Sequence, residues 1–196
     1  MPSEPRATVG TPRASDAARS GGKTLRLERT YPHPPEAVWL ALTDPRALAE
    51  WAFPNDFKPE AGHAFRFQVD PMGAYSGIME CQVLEIDPPR RMVWSWVNVP
   101  KRAGAARPAP MRITWTLEPV SGGTRLVLFQ EGMEVMSFLD RVMQKFGWGT
   151  MLARWLPRVV REGVRSEGDA WVFTPGVIPL EKRCYKTKTI PEHLVR

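Results

Sequence analysis

The sequence predicts one α+β domain, a curved antiparallel sheet wrapped around a long C-terminal helix. Three observations carry that prediction. Period-two alternation recurs in a run of segments between residues 63 and 131. The period turns helical beyond Gly132, and the other helical segments are two short ones placed directly after the first strand. Strands grouped together with helices segregated from them are the mark of an α+β layer architecture.

The elements follow in order. Thr24–Tyr31 sets Leu25, Leu27 and Tyr31 against Arg26, Glu28 and Thr30, a first strand stopped by Pro32, Pro34 and Pro35. Proline is tolerated in the first turn of a helix, where Glu36 also suits the dipole, so 35–43 reads as a short helix. Asp44-Pro45 restarts the chain as an N-cap followed by a first-turn proline, and a second helix runs to about Trp51. His63–Asp70 places Phe65, Phe67 and Val69 on one face, and Tyr75–Ile86 is a longer strand closed by Asp87-Pro88-Pro89. In that strand both faces carry apolar residues, Ile78, Leu84 and Ile86 against Met79, Cys81 and Val83, so parity leaves the inward face open. Arg91–Asn98 aligns Met92, Trp94 and Trp96, and Val99–Pro110 reads as a Pro/Ala/Arg loop. Met111–Glu118 aligns Met111, Ile113, Trp115 and Leu117. After the turn at Ser121-Gly122-Gly123, Thr124–Glu131 completes the strands.

Val135, Phe138, Leu139, Val142 and Phe146 then share one helical face, and Leu152, Trp155, Leu156, Val159, Val160 and Gly163 form a second pattern beyond Gly147. Pro157 should kink that helix, because it removes a backbone donor. Three regions follow: a disordered tail over 1–23, a folded domain over 24–166 and a C-terminal arm over 167–196. The arm holds Trp171-Val172-Phe173 and Val177–Leu180 and is expected to pack on the body or on a partner.

The chain has 196 residues and a net charge of +6, and the location of that charge is informative. Residues 1–23 contribute +2, residues 24–153 balance to zero, and residues 154–196 contribute +4. A nucleic-acid domain needs a basic face on its folded body, so nucleic acid is disfavoured as a partner. A basic C-terminal segment still suits a peripheral membrane or an acidic protein. Residues 1–23 hold no apolar run, which argues against a secretory signal, and Glu4 and Asp16 argue against a transit peptide. No run of eighteen apolar residues occurs, so no spanning helix is expected and the chain reads as cytoplasmic. Cys81 and Cys184 lie far apart with no metal or redox spacing and read as reduced thiols, with one disulfide as the alternative.

At this point the sequence resembles a known group. Ala37–Trp51, AVWLALTDPRALAEW, is similar to the opening signature of the SRPBCC (START/Bet v 1-like) superfamily, and specifically its branch homologous to the activator of Hsp90 ATPase (AHSA1-like). Gly62-His63-Ala64-Phe65 resembles the branch's G-x-x-F strand opening. Glu85–Val93 with Trp96 resembles its E-x-x-P-P-x-R-L-V-x-x-W hairpin. Gly123-Thr124-Arg125-Leu126 and Gly147-Trp148 resemble its final strand and the start of its last helix. The resemblance spans about Leu25 to Arg165. It implies a helix-grip fold with an apolar cavity between sheet and helix, in a superfamily that binds lipids, sterols, polyketides and other apolar molecules and includes cyclases.

Candidate site residues are then weighed against plainer roles. Trp51, Phe53, Phe65, Phe67, Trp94, Trp96 and Trp115, with Leu152 and Trp155 from the helix, are the candidate cavity lining, although core filling is the plainer reading of any single aromatic among them. No catalytic residue, metal ligand or cofactor is assigned. His33, His63 and His193 lack acidic or hydroxyl partners at a catalytic spacing, and no phosphate loop, dinucleotide fingerprint or G-x-S-x-G motif occurs. Glu80 and Glu85 fall on opposite faces of a regular strand. Arg154, Arg158, Arg161 and Arg165 form a basic stripe whose plain reading is a solvated face. The expected function is binding of a small apolar or aromatic molecule. The alternatives are a polyketide cyclase-like or aromatase-like enzyme using the same pocket, and a stress-related interaction or co-chaperone-like module.

Overall fold

The computed structural model describes residues 22–183 and residue 185. Most of the expected tail, together with Cys184 and His193, lies outside the described residues. Six strands form one antiparallel sheet: β1 Leu25–Tyr31, β2 Ala64–Gln68, β3 Tyr75–Asp87, β4 Arg91–Pro100, β5 Met111–Val120 and β6 Gly123–Glu131. Their spatial order is β1-β6-β5-β4-β3-β2. Between β1 and β2 lie α1 Pro35–Thr43 and α2 Pro45–Trp51. Asp44 caps α2 by accepting hydrogen bonds from the backbone N–H groups of Arg46 and Ala47, as the Asp-Pro pair foretold.

The long helix begins at α3, Phe138–Thr150, passes through a π-helical turn at Met151–Trp155 and continues as α4, Leu156–Gly163. The helix turns Trp148, Met151, Leu152, Leu156, Val159 and Val160 into the core, and its α4 half packs against α1 and α2. Alternation supplies the opposite wall: Met92, Trp94 and Trp96 from β4, Met111, Ile113, Trp115 and Leu117 from β5, and Leu126 and Leu128 from β6. On β3 the inward face is that of Met79, Cys81 and Val83. Gly77, at φ +85°, is required there, because a Cβ would sit 2.1 Å from the Val69 carbonyl oxygen.

Pro157 does not sharply break the helix, and the π turn accounts for this. In that turn the Leu156 N–H bonds the Met151 carbonyl five residues back. The next bond in the series would join residue 157 to the Leu152 carbonyl, and proline has no N–H to give. Tyr31 Oη donates to that carbonyl instead, at 2.7 Å in the buried core. Burial pushes the Tyr31 phenol well above its ordinary pKa, so it remains a donor.

The described part of the arm packs on the body. β7 Val164–Glu167 and β8 Ala170–Phe173 form a hairpin directly after α4. Arg165 is therefore a strand residue, and the basic stripe keeps only Arg154, Arg158 and Arg161 on the helix. The Phe173 ring rests on Gly163, where a Cβ would meet Phe173 Cε2 at 2.5 Å. Glu50, 2% exposed on α2, accepts hydrogen bonds from the backbone N–H groups of Gly176 (2.5 Å) and Ile178 (2.8 Å). It also pairs with Arg183 at 3.4 Å. Tyr185 Oη donates to the Ala49 carbonyl at 2.8 Å. Among the described residues no helix is long and apolar enough to cross a membrane.

Candidate functional site

The inward strand faces bring the candidate aromatics into one continuous cluster. Trp94 and Trp115 stand 5.4 Å apart edge-to-face, Trp51 lies 6.2 Å from Trp115, and Phe65 lies 5.5 Å from Trp94. Phe67 contacts Trp96 at 5.4 Å and Phe53 at 6.0 Å. Such offset geometries are the favoured ones for aromatic pairs. Two members were missing from the sequence reading. Trp148 on α3 closes the cluster against Trp96 and Trp115 at 5.8 and 5.5 Å, and Phe57 closes it against Phe65 at 5.0 Å. The signal for Trp148 was the Gly147-Trp148 pair, whereas Phe57 sits in an irregular stretch with no periodicity.

The polar edges of these rings are mostly held. Trp51 Nε1 donates to the Ala41 carbonyl at 2.8 Å, and Trp96 Nε1 to Asn98 Oδ1 at 2.8 Å. Trp148 Nε1 donates to Gln130 Oε1 at 3.2 Å, and Gln144 Nε2 donates to the same oxygen at 3.0 Å. The buried indole N–H groups of Trp94 and Trp115 have no hydrogen-bond partner among the described residues. Leu152 is buried against the cluster, while Trp155 is half-buried with the Arg154 guanidinium 4.8 Å over its ring.

A cavity of about 230 Å³ opens at the end of the sheet, where β3 begins, β4 ends and the long helix approaches. Its apolar wall includes Ala105 and Pro108 from the 101–110 loop, Met111 from β5, and Val135 and Met136 from the turn before α3. Tyr75 and Asn98 supply the polar lining. Tyr75 Oη donates to Asp140 Oδ2 at 3.0 Å. Ser137, the N-cap of α3, donates to the same carboxylate oxygen at 2.7 Å. Burial raises the Tyr75 pKa, and the hydrogen bond to Asp140 and that residue's charge raise it further, so the phenol holds its proton. Asn98 joins the cavity to the aromatic cluster through Trp96, whose strand partner is Met111. None of the nine sequence-stated candidates borders this cavity directly. The Val99–Pro110 loop was visible in the sequence, but its closure over Tyr75 was not.

Other candidate groups fall elsewhere. A register shift between Val83 and Glu85 turns Glu85 to the same outer face as Glu80. There each carboxylate is tied to arginine, Glu80 to Arg107 and Glu85 to Arg91 and Arg112. Those two arginines hold the Glu85 carboxyl below the usual range, the Arg91 hydrogen bond contributing most. His63 Nε2 meets the Asp56 carbonyl at 3.0 Å on the exposed surface. Cys81 is a free, buried thiol, and burial raises its pKa well above the ordinary value.

Comparison with known proteins agrees with this fold. The family described as activator of Hsp90 ATPase homolog 1-like protein matches residues 32–161, about two thirds of the chain. No curated protein matches significantly. Among solved structures, protein MLL2253 from Mesorhizobium loti is 31% identical, with a TM-score of 0.57 over 69% of this chain and 94% of that one. Protein CV1439 from Chromobacterium violaceum is 28% identical, with a TM-score of 0.54 over 70% of this chain and 96% of that one. DynU16, a putative protein in the dynemicin biosynthetic locus, shares the fold at 21% identity and a TM-score of 0.54, over 71% of this chain and 47% of that one. The match, running from α1 through β2–β6 into the gripped helix, places this chain in the activator of Hsp90 ATPase homolog 1-like family, within the helix-grip fold.

Proposed function

We propose that the chain binds a small apolar molecule of one or two aromatic rings at the mouth of the grip. The observation that carries this reading is the cavity between the 101–110 loop and the start of α3. Its 230 Å³ exceeds the ~150 Å³ of an engineered apolar cavity that accepts benzene. Predominantly apolar walls with a few placed polar groups are the usual composition of a ligand site. Here the Tyr75 phenol oxygen and the Asn98 amide are the anchors for a ligand hydroxyl or carbonyl. The aromatic cluster of Trp51, Phe53, Phe65, Phe67, Trp94, Trp96 and Trp115, with Leu152 and Trp155 behind it, forms the deeper wall that a longer ligand would have to reorder. A cytoplasmic site of action belongs to the same reading, supported by the free thiol of Cys81.

Calorimetric titration with 1-naphthol tests the proposal, since that probe has two rings and one hydroxyl. Saturable one-to-one binding is expected, and Ala105→Trp, which fills the cavity from a surface loop, should abolish it. Equal affinity in that variant, or no saturable binding by the parent chain, would contradict the proposal.

A second reading, a cyclase-like enzyme, draws on the Tyr75–Asp140 pair at the cavity wall. The phenol would position and polarise a substrate carbonyl by turning its one proton from Asp140 to that carbonyl. Under this reading Tyr75→Phe would lose turnover of a bound polyketide-like substrate while keeping its affinity.

A further inference from the structure

The first half of the gripped helix is turned inside out. On α3 the residues facing the body are Asp140, Arg141, Gln144 and Trp148, and the apolar ones face solvent: Phe138 at 74% exposure, Phe146 at 71%, Leu139 at 67%, with Met143 and Val142 about half exposed. Beside them runs a groove between α3 and β1, lined by Leu27, Val142 and Phe146 together with Arg29, Lys145 and Arg154. Three cations and no acid border it.

We propose that this face of α3 docks on an anionic lipid bilayer. A helix with a low net hydrophobicity, a stripe of phenylalanine and leucine, and flanking lysine and arginine lies in the bilayer interface, with its apolar face at the acyl boundary. Each flanking cation near an anionic surface adds attraction that salt weakens. A second copy of the chain fits less well. A symmetric pair across this groove would set Arg29, Lys145 and Arg154 against their own equivalents. The patch is also far smaller than the roughly 20–30 residues a side of a stable interface. Residues 1–21 cannot supply a cover either, since their sequence holds no apolar run. Val135, partly exposed just before α3, also lines the cavity mouth, so docking would bring that mouth to the lipid surface. The docking itself does not depend on the cavity holding a ligand.

Flotation of the full chain with vesicles of equimolar phosphatidylcholine and phosphatidylglycerol tests this, against pure phosphatidylcholine vesicles. The chain should float with the anionic vesicles, at least tenfold less with neutral ones, and progressively less as salt rises. Phe138→Ser with Phe146→Ser changes two exposed side chains, so the fold, checked by thermal melt, should survive while flotation falls at least tenfold. Lys145→Glu should weaken flotation without touching the apolar stripe. Failure of the parent chain to float would overturn the proposal. Undiminished flotation of the double-serine variant would assign membrane binding to the basic tails instead. A dimer that dissociates in that variant, with no vesicle binding, would assign the face to a second copy. None of these outcomes bears on 1-naphthol binding, which is read separately.

Discussion

Replacing Tyr31 by phenylalanine isolates the device that lets the helix carry Pro157. The hydroxyl donates to the Leu152 carbonyl, which the π turn leaves without a helical partner because residue 157 has no N–H. Loss of the donor strands a buried carbonyl, which costs about 1–3 kcal/mol. For a chain of this size that is roughly 2–4 °C in Tm per kcal/mol. Urea unfolding, monitored by tryptophan fluorescence, measures the change as a shifted midpoint at constant slope. The control is Pro157→Ala, which restores a backbone N–H at position 157. In that background Tyr31→Phe should cost about 1 kcal/mol less, a coupling typical of groups that share one partner. A cost below about 0.5 kcal/mol for the single variant, or an equal cost in both backgrounds, would refute the reasoning.

Other consequences follow from the same structure. Glu50→Ala removes the acceptor for two backbone donors and the partner of a largely buried Arg183, so a loss of about 3–5 kcal/mol is expected. Limited proteolysis should then cut first within 174–183. Gly163→Ala should cost about 1–3 kcal/mol by overpacking against Phe173 and Val177, measured by thermal melt, even though alanine favours helix. Glu85 has a lowered carboxyl pKa in the fold, so its contribution is present above the ordinary value of 4.5 and lost as pH falls through the folded value. The pair is largely exposed, so Glu85→Gln should cost no more than about 1 kcal/mol at neutral pH and flatten the acid limb of the stability profile.

The strands, the two proline-started helices and the capped Asp44 were legible because each rests on local rules: alternation, the missing proline donor and side-chain capping. The inward face of β3 was not, since both faces carry apolar residues and the shift at Val83/Glu85 changes parity midway. Periodicity found the apolar stripe of α3 but gives no direction for it. The sheet holds Gln144 and Trp148 through Gln130, and so turns Phe138 and Phe146 outward. Nothing in the sequence marks Glu50, because its partners lie 126 and 128 residues away. The cavity residues were hidden for the same reason. Tyr75, Asn98, Met111 and Met136 meet only when the strand ends, the 101–110 loop and the turn before α3 converge.

The central claim, a small-molecule site at the mouth of the grip, is tested most directly by nuclear Overhauser effects on methyl-labelled methionines in the presence of 1-naphthol. Met111 and Met136 line the cavity, whereas Met92 is sealed beneath the sheet and Met143 lies on the outer face of α3. Contacts from the naphthol ring to the Met111 and Met136 methyls, with none to Met92 or Met143, are the predicted result. Contacts confined to Met143, or none at all under saturating probe, would contradict it.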